Sequence, residues 1–164
     1  KRTRVGRHEM NPLTPQFWIG IGIAALCGGI IGFERQIRGK PAGIRTSILI
    51  CLGTSIFVHL GTTFGGANVD PTRVLGQVVT GIGFLGAGVI IAREGLVKGV
   101  TSATVIWVLA GIGAMIGFGL FLPALAISFI TVGILTGIEL LENSVRRLRR
   151  GVHAPDEECN KNNE

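Results

Sequence analysis

The chain has 164 residues, of which 47% are hydrophobic and a further 26 are glycine, with only 16% charged and a formal net charge of +6. A soluble domain reaches about 45–50% apolar residues with glycine included, and about 25% charged ones. The composition therefore excludes a water-soluble globule and a disordered chain, and the lack of a three-residue glycine period excludes collagen.

A membrane-spanning helix requires about 20 mostly apolar residues, with about 17 as the lower limit. Five runs meet this requirement, over residues 17–33, 46–64, 74–92, 101–118 and 120–141. The predicted fold is an all-α, polytopic transmembrane helical bundle. A basic N-terminal arm (1–16) precedes the membrane domain (17–142), and a basic juxtamembrane stop with a disordered tail (143–164) follows it.

The first run opens with Thr14-Pro15, an N-cap followed by proline at the first helical position, and Trp18 stands where an interfacial aromatic would anchor. It is longer than a signal-peptide core and ends in Phe33-Glu34-Arg35 without a small-x-small cleavage site, so it reads as a retained helix. Asp70-Pro71 suits the start of the third helix in the same way as Thr14-Pro15. Runs four and five are separated only by Gly117-Phe118-Gly119, which predicts a tight antiparallel hairpin, and Pro123 falls in the first turn of the fifth, where a missing N–H does little harm.

Lysine and arginine set the orientation. One side collects eleven of them and the other five, which places the C-terminus in the cytoplasm and the N-terminus outside. Because the basic residues flank apolar spans and form no aromatic-interleaved face, nucleic acid is not an expected partner. Of the cysteines, Cys27 and Cys51 lie inside apolar runs as small hydrophobes. Together with Cys159 they make an odd set without CxxC spacing or nearby histidines, so neither a disulfide framework nor a metal site is expected.

Glycine marks the packing faces. Gly20, Ala24, Gly28 and Gly32 form an i, i+4 stripe on the first helix, and Gly113-xxx-Gly117 and Gly133-xxx-Gly137 repeat the pattern on the last two. Lipid gives helices no hydrophobic reason to associate, so close backbone approach must supply the attraction, within one chain or between copies. The third run holds Gly81, Gly83, Gly86 and Gly88. The first three spell a GxGxxG, but it lies inside a continuous apolar run with no acid between Glu94 and Glu139, so it reads as helix packing and not as a dinucleotide fingerprint.

The polar residues of the spans cluster near their ends. Glu34 and Arg38 stand four apart in the favourable order for an ion pair, as do Glu142 and Arg146. The loop from Glu34 to Thr46 faces the loop from Arg93 to Gly99 and serves either as an anchor to anionic lipid or as a docking surface. Arg73, Gln77 and Thr80 share one helix face, which is expected to point into the bundle because an arginine and a glutamine facing lipid are costly. His59 is the only imidazole within a span and reads as a helix-end residue bonded to a neighbour. No acid stands at a span midpoint, whereas carrying Mg²⁺ or protons through a bilayer normally uses carboxylates or histidines at depth. A pore lined by backbone carbonyls stays open as an alternative.

Five blocks then occur in order: Gly32-Phe33-Glu34-Arg35-Gln36; Gly43-Ile44-Arg45-Thr46; Asp70-Pro71-Thr72-Arg73 with Gln77; Gly81-Ile82-Gly83-Phe84-Leu85-Gly86-Ala87-Gly88; and Gly99-Val100-Thr101-Ser102-Ala103-Thr104 with Trp107. This pattern resembles the MgtC/SapB family (the YhiD-like membrane domain) across about residues 17–142. The resemblance implies a bacterial inner-membrane protein of about five spans, linked to growth under magnesium limitation. The family has often been labelled a magnesium transporter, but its better-supported role is accessory or regulatory, through other membrane proteins. Longer members carry a soluble C-terminal domain after the last span.

The candidate functional residues are Glu34, Arg35, Arg45, Thr46, Asp70, Arg73 and Gln77. The expected partners are the lipid bilayer and other membrane proteins or further copies of the chain. No cofactor is expected, and no nucleophile–base–acid set points to an enzyme. The leading expectation is a non-enzymatic accessory protein, with an ion carrier or channel, Mg²⁺ first, as the alternative.

Overall fold

The computed structural model of the chain describes residues 14–64, 70–93 and 96–152. The described residues form five helices: α1 (Pro15–Ile37), α2 (Ile44–Phe64), α3 (Pro71–Ala87), α4 (Val100–Gly117) and α5 (Phe121–Val152). One antiparallel hairpin, β1 (Ile91–Arg93) with β2 (Leu96–Lys98), joins α3 to α4 and pairs Ile91 with Lys98. The architecture is the all-α bundle expected. Four helices, α1, α2, α4 and α5, are long and apolar enough to cross a membrane. With 17 residues, α3 stands at the lower length limit.

Local chemistry sets the ends of the helices. α1 starts at Pro15 behind an extended Thr14. α3 starts at Pro71 behind Asp70, whose carboxylate accepts the Thr72 amide at 2.9 Å. α4 stops at Gly117 because Gly119, at φ +78°, turns the chain left-handed, so that Leu120 N–H reaches back to Met115 C=O at 2.8 Å.

Glycine brings three helices into backbone contact. A Cβ on Gly28 would stand 2.7 Å from Ile48 Cα, and one on Gly32 would stand 2.6 Å from Ile44 Cα, so α1 runs antiparallel against α2. Further along α2, a Cβ on Gly113 would meet Cys51 O at 2.5 Å and one on Gly117 would meet Ser55 O at 2.8 Å, so α4 runs parallel to α2. The core gathers around this contact: Ala24, Cys27, Ile31, Cys51 and Leu109 are fully covered. Cys51 Sγ donates to Leu109 C=O at 3.3 Å.

The two remaining helices flank this trio. α5 lies along α1, where Gly20 makes ordinary contact with Phe121. α3 lies antiparallel along α4: its end meets α4's start where Gly86 touches Ala103, and Leu75, near its beginning, shares an apolar cleft of about 310 Å³ with Phe118. The outer surface carries large apolar side chains such as Trp18, Phe84 and Leu122, an exterior suited to lipid.

Several expectations need correction. The third run does not stay helical to residue 92. Its helix ends at Ala87, Gly88 caps it, and the β-branched Val89-Ile90-Ile91 leads into β1. Gly99, at φ +92°, then packs so closely under the Val89 carbonyl that it leaves no room for a Cβ. Hydropathy alone does not separate a short apolar strand from the end of a helix. At the other end of the chain, α5 continues to Val152, so the first ten residues of the predicted stop and tail are helical. The basic arm, the tail beyond Val152, Cys159 and the side chains of the Glu142–Arg146 pair lie outside the described residues.

The polar face of α3 also differs from expectation. Arg73, Gln77 and Thr80 are exposed and point away from the chain's other helices. Gly81 and Gly83 have nothing within 4 Å of a Cβ position, and the same holds for Gly133 and Gly137 on α5. The side of α3 that turns inward is the apolar one, with Ile82 and Gly86 buried, because the opposed face of α4 is itself apolar.

Candidate functional site

The helix directions put the end of α1, the start of α2, the hairpin and the start of α4 on one side of the bundle, called the hairpin side below. Here the last turns of α1 carry Glu34, only 8% exposed, and Arg35, only 4% exposed. Charges seldom stay buried without partners. Glu34 Oε1 stands 2.6 Å from Arg38 Nε, the i, i+4 ion pair expected from spacing, and Glu34 Oε2 stands 3.7 Å from Arg35 Nη1. Arg35 Nη2 also donates to Ser102 Oγ at 3.1 Å, which ties α1 to the first turn of α4. Two guanidinium groups thus flank a single carboxylate, and the cluster keeps a net positive charge.

The loop beneath it is closed by its own backbone. Lys40 N–H donates to Arg35 C=O at 2.9 Å, and the Ile44 amide reaches Gln36 Oε1 at 3.3 Å. Gly39 and Ala42 both take left-handed φ, 61° and 62°. Ser47 is fully buried and donates to Ala42 C=O at 2.9 Å, holding the turn against Gly32. The loop is therefore a built structure fixed to the charge cluster.

The seven candidate residues separate into three places. Glu34 and Arg35 form the buried cluster. Arg45 and Thr46 lie on the same side, exposed on the first turn of α2. Asp70, Arg73 and Gln77 belong to the opposite side and the outward face of α3. The exposed Asp70 serves as the N-cap, and the hydrogen bonds it accepts from the Thr72 backbone and hydroxyl hold its carboxyl below the ordinary value. Reasoning from sequence missed Ser102 as the partner of Arg35. It also left Arg38 outside the candidate set, although the spacing had marked its pair with Glu34.

His59 Nε2 is buried without a hydrogen-bond partner among the described residues, while the His59 backbone C=O accepts the Thr62 hydroxyl at 2.8 Å. Among the described residues, no three histidine, cysteine or acidic side chains are gathered to hold a metal ion.

A family model described as "MgtC family" matches residues 21–144, three quarters of the chain, including the end of α1, α2 and α4, which frame this site. The chain belongs to the MgtC family. Among its relatives, "Putative magnesium transporter YhiD" of Escherichia coli (strain K12) is 44% identical over 117 residues, which cover 66% of this chain and 54% of that protein. "Protein MgtC" of Brucella abortus (strain 2308) is 41% identical over 137 residues, covering 80% of this chain and 56% of the relative. "Protein MgtC" of Salmonella typhimurium (strain 14028s) is 42% identical over 128 residues, covering 77% and 53%. This MgtC-family chain thus spans about half the length of the curated relatives it matches. No solved structure matches it significantly.

Proposed function

We propose that this MgtC-family chain is the membrane part of a non-enzymatic bacterial inner-membrane protein that serves adaptation to magnesium limitation as an accessory or regulator. It acts through other membrane proteins. One observation carries the reading: Glu34, the one buried carboxylate among the described side chains, is held between Arg35 and Arg38. A carboxylate neutralised by two guanidinium groups repels a dication, and one of those guanidiniums, Arg35, ties α1 to α4 through Ser102. The buried charge therefore acts as a structural clasp beside an ordered, exposed loop, an arrangement suited to presenting a surface.

The same reading includes five crossings, with α3 as the third, the N-terminus outside and the C-terminus in the cytoplasm. The split of eleven basic residues against five supports this orientation. The hairpin side, with Arg45 and the ordered loop, then faces the cytoplasm.

A second reading, a Mg²⁺ transporter, draws support from the name of the Escherichia coli relative. Flux through purified protein in sealed vesicles separates the two. The accessory reading expects Mg²⁺ entry equal to that of protein-free vesicles. Saturable entry that depends on the protein would overturn it.

A further inference from the structure

The outward face of α3 bears polar groups in the part of the helix that lies alongside α4. Counted from Pro71 at 1.5 Å per residue, Gln77 stands about 9 Å and Thr80 about 13 Å along a helix about 25 Å long. Both are exposed. The Thr80 hydroxyl turns back on its own helix and donates to Gly76 C=O at 3.0 Å. The Gln77 amide has no hydrogen-bond partner among the described residues, although it carries two N–H donors and a carbonyl. Left against lipid, such a group costs several kcal/mol, by order of magnitude.

The surroundings of Gln77 suit a second helix. Gly76, Thr80, Gly83 and Ala87 form an exposed stripe at spacings of four, three and four residues. A Cβ on Gly76 or Gly83 would meet nothing within 4 Å, so backbone can approach from outside. At the end of the same face, the exposed Asp70 and Arg73 bring opposite charges one turn apart.

We infer that this face of α3 is the interface with a second copy of the chain, paired α3 to α3 about a two-fold axis along the membrane normal. Identical parallel helices meet level by level. Gln77 then faces the partner's Gln77, and a primary amide both donates and accepts, so the two satisfy each other. Arg73 reaches the partner's Asp70, and the reciprocal contact follows from symmetry. An unlike helix would have to supply both the amide and the opposite charges at matching heights; a second copy supplies them by identity. This interface is remote from the Glu34 cluster; it rests on the proposed crossing of the membrane by α3 and not on the accessory role.

Cysteine crosslinking in native membranes tests it. In a Cys159→Ser chain, where Cys27 and Cys51 stay buried, Gln77→Cys and Thr80→Cys are compared with Ile130→Cys, an exposed position on α5. Mild oxidation is expected to give a covalent species at twice 17.3 kDa, with a yield about tenfold higher at the two α3 positions. Equal yields at all three sites, adducts with other proteins only, or no crosslink would each overturn the proposal. Rapid labelling of Gln77→Cys by a membrane-impermeant maleimide, at the rate shown by Arg45→Cys, would show a water-lined face and overturn it too. In the unmodified background, Gln77→Leu is expected to lower the association constant in vesicles about tenfold and Gln77→Asn to restore much of it. Undiminished association of a folded Gln77→Leu chain would rule out the amide pair.

Discussion

The Arg35 guanidinium on α1 donates to Ser102 Oγ on α4 at 3.1 Å, joining two segments 67 residues apart in the chain. Both side chains are buried, so neither group recovers a water if the bond is broken. The link closes the hairpin side of the bundle by joining α1 directly to α4, both of which also pack on α2.

Replacing Ser102 with alanine removes the acceptor and keeps the cation buried. A loss of about 1.5–3 kcal/mol is expected, the usual cost of a missing bond to a charged group. Unfolding in lipid–detergent bicelles measures it. Ser102→Thr, which keeps the hydroxyl, should recover most of the loss.

Glu34→Ala should cost more, about 3 kcal/mol, because it leaves Arg35 and Arg38 in mutual repulsion with no anion between them. A double-mutant cycle of Glu34 with Arg38 should give a coupling of at least about 1 kcal/mol, since the contact is 2.6 Å and Glu34 is covered. Additive losses would mean that the pair contributes nothing beyond its members.

Arg45 lies near this cluster but is exposed and has no partner among the described residues. Arg45→Ala should leave the melting temperature unchanged yet impair growth at low magnesium, whereas Lys40→Ala should alter neither. Equal growth of the two variants would separate the exposed arginine from function.

Glycine substitutions should divide by helix face. Gly28→Leu forces a side chain into the Ile48 backbone and should cost about 3 kcal/mol. Gly133→Ala meets nothing and should be neutral, or stabilise by about 0.5–1 kcal/mol through helix propensity. Thermal unfolding in detergent checks both.

The Asp70 cap carries a dependence on pH. Its folded-state pKa is depressed from the ordinary 3.8 by the hydrogen bonds from Thr72, so its contribution is fully present above that value and is lost as the solution is acidified below it. Amide exchange at the start of α3 should quicken in that acid range. Asp70→Asn, which keeps a capping oxygen without the titration, should show no such step.

Much of the fold was legible because membrane helices declare themselves by length and apolarity, and proline and glycine marked their ends. Thr14-Pro15, Asp70-Pro71 and Gly117-Phe118-Gly119 all stand at helix boundaries in the structure. The β1–β2 hairpin was not legible, since Val89-Ile90-Ile91 is as apolar as the helix before it. The inward side of α3 was misread because lipid cost was weighed within one chain only: a polar face hidden from lipid can lie between chains as well as inside one. At the site, spacing revealed Glu34 with Arg38, a local pair. It could not reveal Arg35 with Ser102, which only the docking of α1 and α4 brings together.

Gly28 and Gly32 press on the first turns of α2, and Gly113 and Gly117 press on the turns that follow. Clearances this small leave α2 no freedom to slide or turn without pushing its neighbours aside. The three central helices, each in contact with the other two, thus behave as one rigid body, and relative motion within the bundle is left to α3 and α5.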